Sequence, residues 1–416
     1  MTRSRILLAI GLMLVLAMAL GLVGCGGGSC TSAMSGSTSS GAGGSVGGAS
    51  PPASACTLAA GNGGGGTAGG TYLFIADAGG IQGEVLNPSS GSITVTSNFG
   101  TVQVATSEPG SWVVIAQQQY LYSVYPSIGE IYGWAIAGNG TVTPLNNDQP
   151  FAASFLVSGT TNGTQAVIGN PAGTLLFLVD PVNEAVHTFQ VGTGGGLTEA
   201  AITYMPSGFQ PYNVATDGLG KYLYVSNIVG FANTTLVAAY SIGSDGTLTP
   251  LGSPFASSLM QMQGDSSGNF MIGTQGGLTG DPNLYVATIS QTGATAGTFT
   301  SVAAFATQAS SPTTVAVQPS QGGVLVYSFD SNGGSVEGFQ INASNGTLTN
   351  ALGSPFSISG VFGEFDQNGK YLFVVEDQSG LTSSVMDAYD VSNPNLQTPV
   401  ASVGWGTGAW SIADTQ

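Results

Sequence analysis

The sequence predicts an all-β fold: a seven-bladed β-propeller of four-stranded antiparallel blades, its ring closed by the C-terminal strand completing the first blade. Three observations predict it. One apolar strand recurs seven times, a second marker keeps the same step, and the repetitive region begins and ends out of phase by one strand.

The recurring strand, labelled B, reads YLFIAD at Tyr72, YLYSVY at Tyr120, LLFLVD at Leu175, YLYVSN at Tyr222, FMIGTQ at Phe270, VLVYSF at Val324 and YLFVVE at Tyr371, at intervals of 48, 55, 47, 48, 54 and 47. The second marker, G-T-[LVF]-T or a relative, stands at Gly91, Gly140, Gly196, Gly246, Gly297 and Gly346, with an echo at Asn395. Each repeat has room for four strands. A strand A precedes B and ends in an Asx-x-x-Gly turn, as in Asp217 to Gly220, Asp265 to Gly268, Asn170 to Gly173 and Asp366 to Gly369. These are type I turn signals, with Asx first and Gly fourth. Strand C follows B and enters D through Asn139-Gly140, Asp245-Gly246 or Asn345-Gly346, dipeptides that tolerate positive φ in a tight hairpin. B is apolar on both faces, as a strand between neighbouring blades must be, whereas D alternates Thr with Leu or Val and suits an outer edge. Phe255 and Phe356, in two Ser-Pro-Phe motifs, are expected to wedge between blades after a proline has ended D.

Tyr72 opens on a B strand with no A before it, and Ala409 to Asp414 reads as an A strand with no B after it. One completes the other, which leaves no unpaired edge in the ring. Residues 71–416 then divide into seven blades of about 49 residues. A β-solenoid is the competing architecture, but its coils are usually shorter.

Ahead of the propeller, Arg3 and Arg5 precede the apolar run Ile6 to Leu22, the pattern of an export signal over residues 1–24. Leu22-Val23-Gly24-Cys25 resembles the bacterial lipobox, which implies acylation of Cys25 and cleavage before it. The competing reading, an uncleaved anchor, would need roughly 20 apolar residues to span comfortably. Residues 25–70 are the lipidated Cys and a Gly/Ser-rich tether too poor in large apolar side chains to order itself. Cys30 and Cys56 lie in it as candidates for a disulfide, the alternative being two unpaired thiols. The expected address is the bacterial cell envelope, outside the cytoplasm; Gly26 after the cysteine favours the outer membrane.

Composition excludes several partners. With 66 Gly, 42% hydrophobic residues, only 6% charged and a formal charge of −17, the chain is unusually poor in cations. Without the leader, Lys221 and Lys370 alone face 21 carboxylates. Such a surface cannot neutralise a phosphate backbone, so no nucleic acid is expected. With so few titratable groups, stability is expected to vary weakly with pH.

The strings Tyr224-Val-Ser-Asn227 and GTLTPLGSPF at 246–255 resemble the YVTN-type, lactonase-like seven-bladed propellers, the family that includes bacterial 6-phosphogluconolactonase. The resemblance covers about residues 71–416 and implies the fold; for activity it implies either lactone hydrolysis or an unassigned role. A phospholactone needs cations, and Lys221 and Lys370 follow A–B turns, on the face opposite the D–A and B–C loops. No phosphorylated substrate is expected, and no catalytic residue is carried over.

Carboxylates that start A–B turns or hairpins have structural explanations. A set just after strand B does not: Asp77, Asp180, Asn227, Asp330, Glu376 and Asp377, with Asp281 in a longer B–C loop. On one rim these oxygens form a candidate site for a ligand or for Ca²⁺, which takes six to eight oxygens; the alternative is that each caps its own turn. His187 is the only histidine, mid-blade on strand C of the third repeat, and is read as structural. Trp112, Trp134, Trp405 and Trp410 are candidate sugar platforms or inter-blade packing. The sequence therefore points to a monomeric, lipid-anchored binding module that uses its rim to meet an envelope protein or polysaccharide. The alternative is a metal-assisted hydrolase of an unphosphorylated lactone.

Overall fold

The computed structural model describes residues 71–77, 80–87, 89–95, 112–125, 129–151, 167–227, 235–276, 280–319, 325–330, 335–376, 385–392, 396, 398–404 and 411–414. All lie in one compact unit, Ala55–Gln416. The leader, Cys25, Cys30, Cys56, Asp377, Trp405, Trp410 and the side chains of Asp77 and Trp112 lie outside the described residues. No helix among the described residues is long and apolar enough to cross a membrane.

Seven antiparallel sheets form the blades, six of them built from consecutive strands. Their inner A strands are Trp112–Ala116, Val167–Gly169, Pro211–Thr216, Gln261–Gly264, Thr314–Val317 and Phe362–Phe365 in blades 2 to 7. Blade 1 takes its inner strand from the far end of the chain. Ser411–Asp414 pairs with Thr71–Asp77 in the register Leu73↔Asp414 to Ala76↔Ser411, which is the predicted closure.

Local chemistry fixes the turns as expected. Asp217 Oδ1 accepts the amides of Lys221 (2.6 Å) and Tyr222 (2.8 Å), and Asp366 Oδ1 accepts those of Lys370 (2.7 Å) and Tyr371 (2.6 Å). Gly220 and Gly369 take φ of 66° there, a conformation that costs glycine nothing. The B strands are buried end to end, as in Leu175–Asp180, while the outer strand Leu197–Tyr204 alternates inward and outward.

Seven apolar clusters fill the seams, each joining two adjacent blades, for example Leu73, Ile75, Tyr371 and Phe373 between blades 1 and 7. Trp134 is buried between blades 1 and 2, so it packs rather than forming a platform. Phe255 does wedge between blades 4 and 5, edge-on to Phe299 at 5.2 Å, and Phe356 sits beside Tyr327 at 6.0 Å. Phe255 also starts a fifth strand of blade 4, Phe255–Ser257, along strand C.

The inner strands approach so closely that some positions admit no side chain. A Cβ on Gly363 would collide with the ring of Phe329 and lie 2.6 Å from the Phe373 carbonyl oxygen. Backbone cannot step aside as a flexible side chain can. Gly363→Ala is therefore expected to destabilise the protein by about 1–3 kcal/mol in denaturant unfolding, despite adding only a methyl group.

Candidate functional site

The B strands end on one rim, which places Asp180, Asn227, Asp330 and Glu376 of the sequence-predicted set there. Their partners show what they do. Asp180 Oδ1 accepts the amides of Val182 and Asn183, both at 3.0 Å, so it caps its own B–C turn. Asp330 Oδ2 instead reaches the preceding D–A loop and accepts the amide and hydroxyl of Ser310, both at 3.1 Å. Asn227 Oδ1 accepts the amide of Leu236 at 2.7 Å. Asp281 takes Asn283 and the Tyr285 hydroxyl. Glu376 is half-buried at the end of its strand, and burial, with Asp387 nearby, raises its pKa.

Two residues that the sequence reading passed over join this band. Glu337 Oε1 accepts the Ala309 amide at 2.6 Å, and Glu184 Oε2 accepts that of Gly208 at 3.0 Å. Both amides belong to D–A loops. The carboxylates thus hold the loops of the rim in fixed positions, a preorganised surface with charge-assisted hydrogen bonds behind it. Among the described residues no three His, Cys, Asp or Glu side chains come together as metal ligands. Asp180, Asn227 and Asp330 each spend a side-chain oxygen on a backbone amide.

His187 is buried between two carboxylates, with Nε2 3.3 Å from Asp180 Oδ2 and Nδ1 2.5 Å from Glu199 Oε1. Burial lowers the imidazole pKa, but the hydrogen bonds and charges of Asp180 and Glu199 outweigh it and the net shift is upward. The cluster joins strands B, C and D of blade 3 through these side-chain contacts. Its enclosure gives it a structural position, as its mid-blade location suggested.

The axis offers different chemistry. Glu364, on the inner strand of blade 7, accepts a long hydrogen bond (3.4 Å) from Gln263 on the inner strand of blade 5. This contact passes blade 6, whose Val317 amide donates to the other end of the same Gln263 side chain at 2.8 Å. Asn213 of blade 4 continues the amide chain by donating to Gln261 at 3.1 Å. Glu364 is the one carboxylate among inner-strand residues whose side chains are described, and it remains half-buried. Desolvation holds its pKa up at about 7, where a carboxyl exchanges protons near neutrality. A column-by-column comparison of the repeats contains the signal for it. The corresponding inner-strand positions are Val114, Ile168, Ala215, Gln263, Ala316 and Ala413, none of them ionisable.

Lys221 and Lys370 stand at A–B turns, at the end of the blades opposite the rim. Lys370 lies over the Tyr371 ring at 4.7 Å and donates to the Ser89 carbonyl at 3.4 Å. Neither reaches a ligand held at the rim.

No protein-family model matches the chain, and no curated protein matches its sequence. Solved structures share the fold. A candidate 6-phosphogluconolactonase from Bacteroides fragilis has a TM-score of 0.61 at 16% identity, over 83% of this chain and 98% of that one. The periplasmic gluconolactonase of Pseudomonas aeruginosa gives 0.59 at 15% identity, over 83% and 99%. A Lactobacillus plantarum protein gives 0.59 at 14% identity with the same coverage. The fold is that of the lactonase-like seven-bladed propellers, as the sequence resemblance implied.

Proposed function

We propose that the chain is an exported propeller, held to the bacterial envelope through Cys25, whose D–A rim binds an uncharged partner such as a polysaccharide or a neutral face of an envelope protein. One observation carries this reading: the rim carboxylates Asp180, Asp330, Glu337 and Glu184 are committed to backbone amides that fix the rim loops. A surface built that way is rigid and presents loop backbone and neutral side chains, which suits recognition more than proton transfer. The scarcity of cations makes an anionic partner unfavourable. The purified protein is expected to bind neutral envelope polysaccharide in calorimetry and to leave simple neutral lactones hydrolysing at the buffer rate. Lactone turnover that disappears in Glu364→Gln would overturn this reading.

Glu364 favours a second reading, hydrolysis of an unphosphorylated lactone. A half-buried carboxyl with a pKa of about 7 is suited to take a proton from an attacking water, and neighbouring fold relatives carry lactonase names. Calcium, expected from the sequence at Asp77, Asp180, Asn227, Asp330, Glu376 and Asp377, is not needed for that step. Under this reading Glu364→Gln lowers kcat on a neutral lactone by about 10²- to 10⁴-fold with KM little changed. Adding calcium or EDTA leaves the rate unaltered.

A further inference from the structure

Outer strands of propellers present unpaired backbone edges, and this chain blunts most of them. In blades 2, 4 and 6 strand D is only three residues long: Val142–Pro144, Leu248–Pro250 and Leu348–Asn350. A Pro-Phe step then returns to cover strand C, through Ile131↔Phe151, the strand Phe255–Ser257 and Val336↔Phe356. Proline and short edges are what natural sheets use against edge-to-edge pairing. In blade 3 the eight-residue outer strand turns Glu199 inward onto His187.

Blade 5 does none of this. Its outer strand Phe299–Ala306 is eight residues of FTSVAAFA, and the five consecutive residues Thr300 to Ala304 are exposed, so both faces of the strand reach solvent. A bulge at Thr300 leaves Ser301–Ala306 as an unbroken ladder against Asn283–Thr288, with no strand beyond it among the described residues. Residues 282–329 contain no Asp, Glu, Lys, Arg or His. A long, neutral, β-prone edge has lain open in a protein whose formal charge is −17.

The geometry points to this edge as a homodimer interface, in which Ser301–Ala306 pairs antiparallel with the same strand of a second copy. Charge selects the occupant. Two copies this acidic repel wherever carboxylates meet, and the neutral edge is a place where they approach without that cost. Symmetry selects it as well. A foreign strand added here would expose its own outer edge, whereas self-pairing about a two-fold satisfies both edges at once and closes the assembly. The dimer departs from the monomer expected from the sequence.

Single cysteines at Ala303 and Ala304 test it in the full chain expressed in bacteria, read on non-reducing gels. A two-fold centred on the ladder brings these positions nearest to their own copies. The wild-type chain, with Cys25, Cys30 and Cys56, is the reference, and Thr143→Cys on the exposed outer strand of blade 2 is the control. The expected result is a band at twice the monomer mass for Ala303→Cys and Ala304→Cys alone, lost when Ser301→Lys and Val302→Lys are added. Both lysine sites are exposed, so the fold tolerates them, and an unchanged melting temperature checks this. No band above the wild-type level, an equal band from Thr143→Cys, or a band indifferent to the lysines overturns the proposal.

Discussion

Removal of residues 411–416 is expected to abolish the single cooperative unfolding transition of the propeller. Ser411–Asp414 is the inner strand of blade 1, and its loss would strip the ladder partners from Leu73, Phe74, Ile75 and Ala76. All four are buried, so their freed backbone groups would have neither water nor a strand to pair with. The damage spreads, because Leu73 and Ile75 belong to the cluster that also holds Tyr371, Phe373 and Val375 of blade 7. Opening the ring at blade 1 thus opens the seam to blade 7. A graded version is Ile412→Asp, which puts a charge against that same cluster and is expected to cost about 2–4 kcal/mol. Leu352→Asp, at a position 69% exposed, is the control and should stay within about 0.5 kcal/mol of wild type. Equal effects of Ile412→Asp and Leu352→Asp would show that the ring does not depend on this closure.

Stability is expected to rise on acidification from pH 8 to pH 5, with Glu84 a principal contributor. Glu84 lies on strand C of blade 1, opposite Leu73, where blades 2, 3, 4 and 7 place Trp134, Phe189, Tyr240 and Tyr389 opposite their own leucines. It is therefore a carboxyl in an aromatic seam position. Both of its oxygens are buried without a hydrogen-bond partner among the described residues, and desolvation pushes its pKa up to about 7 from 4.5. A folded-state value above the unfolded one means that folding binds a proton. The resulting stability is full below pH 4.5 and disappears as pH rises to about 7, an effect of about 3 kcal/mol. Glu364 shifts in the same direction through burial, as do Asp217 and Asp366, in which desolvation outweighs the backbone amides. His187, raised by its two carboxylates, likewise favours the acid side. Glu84→Gln should flatten the melting temperature against pH, and Glu84→Leu should raise it most at pH 8. A wild-type melting temperature that falls between pH 8 and pH 5 would refute this account.

That expectation departs from the weak pH dependence inferred from composition, and the departure has a physical cause. A count of titratable groups says how many protons can move, whereas the size of each shift is set by what surrounds the group. Glu84 and Glu364 look like any other glutamates in the sequence. One faces an apolar seam closed by residues nearly 300 positions away, and the other meets Gln263 across the axis.

The sequence by itself determined what depends on neighbours along the chain. The seven-fold step, the A–B turns on Asp217, Asp265 and Asp366, and the completion of blade 1 by Ser411–Asp414 all follow from alternation, turn chemistry and counting. Ladder pairing between consecutive strands is local, so its rules are visible in one dimension. Tertiary structure alone decided which polar groups are answered. Asp330 and Glu337 fix a D–A loop some 20 to 28 residues before them, Asp180 and Glu199 enclose His187, and Glu84 has no partner among the described residues. Desolvation and hydrogen bonding depend on distance in space, and the propeller sets those distances by packing blade against blade.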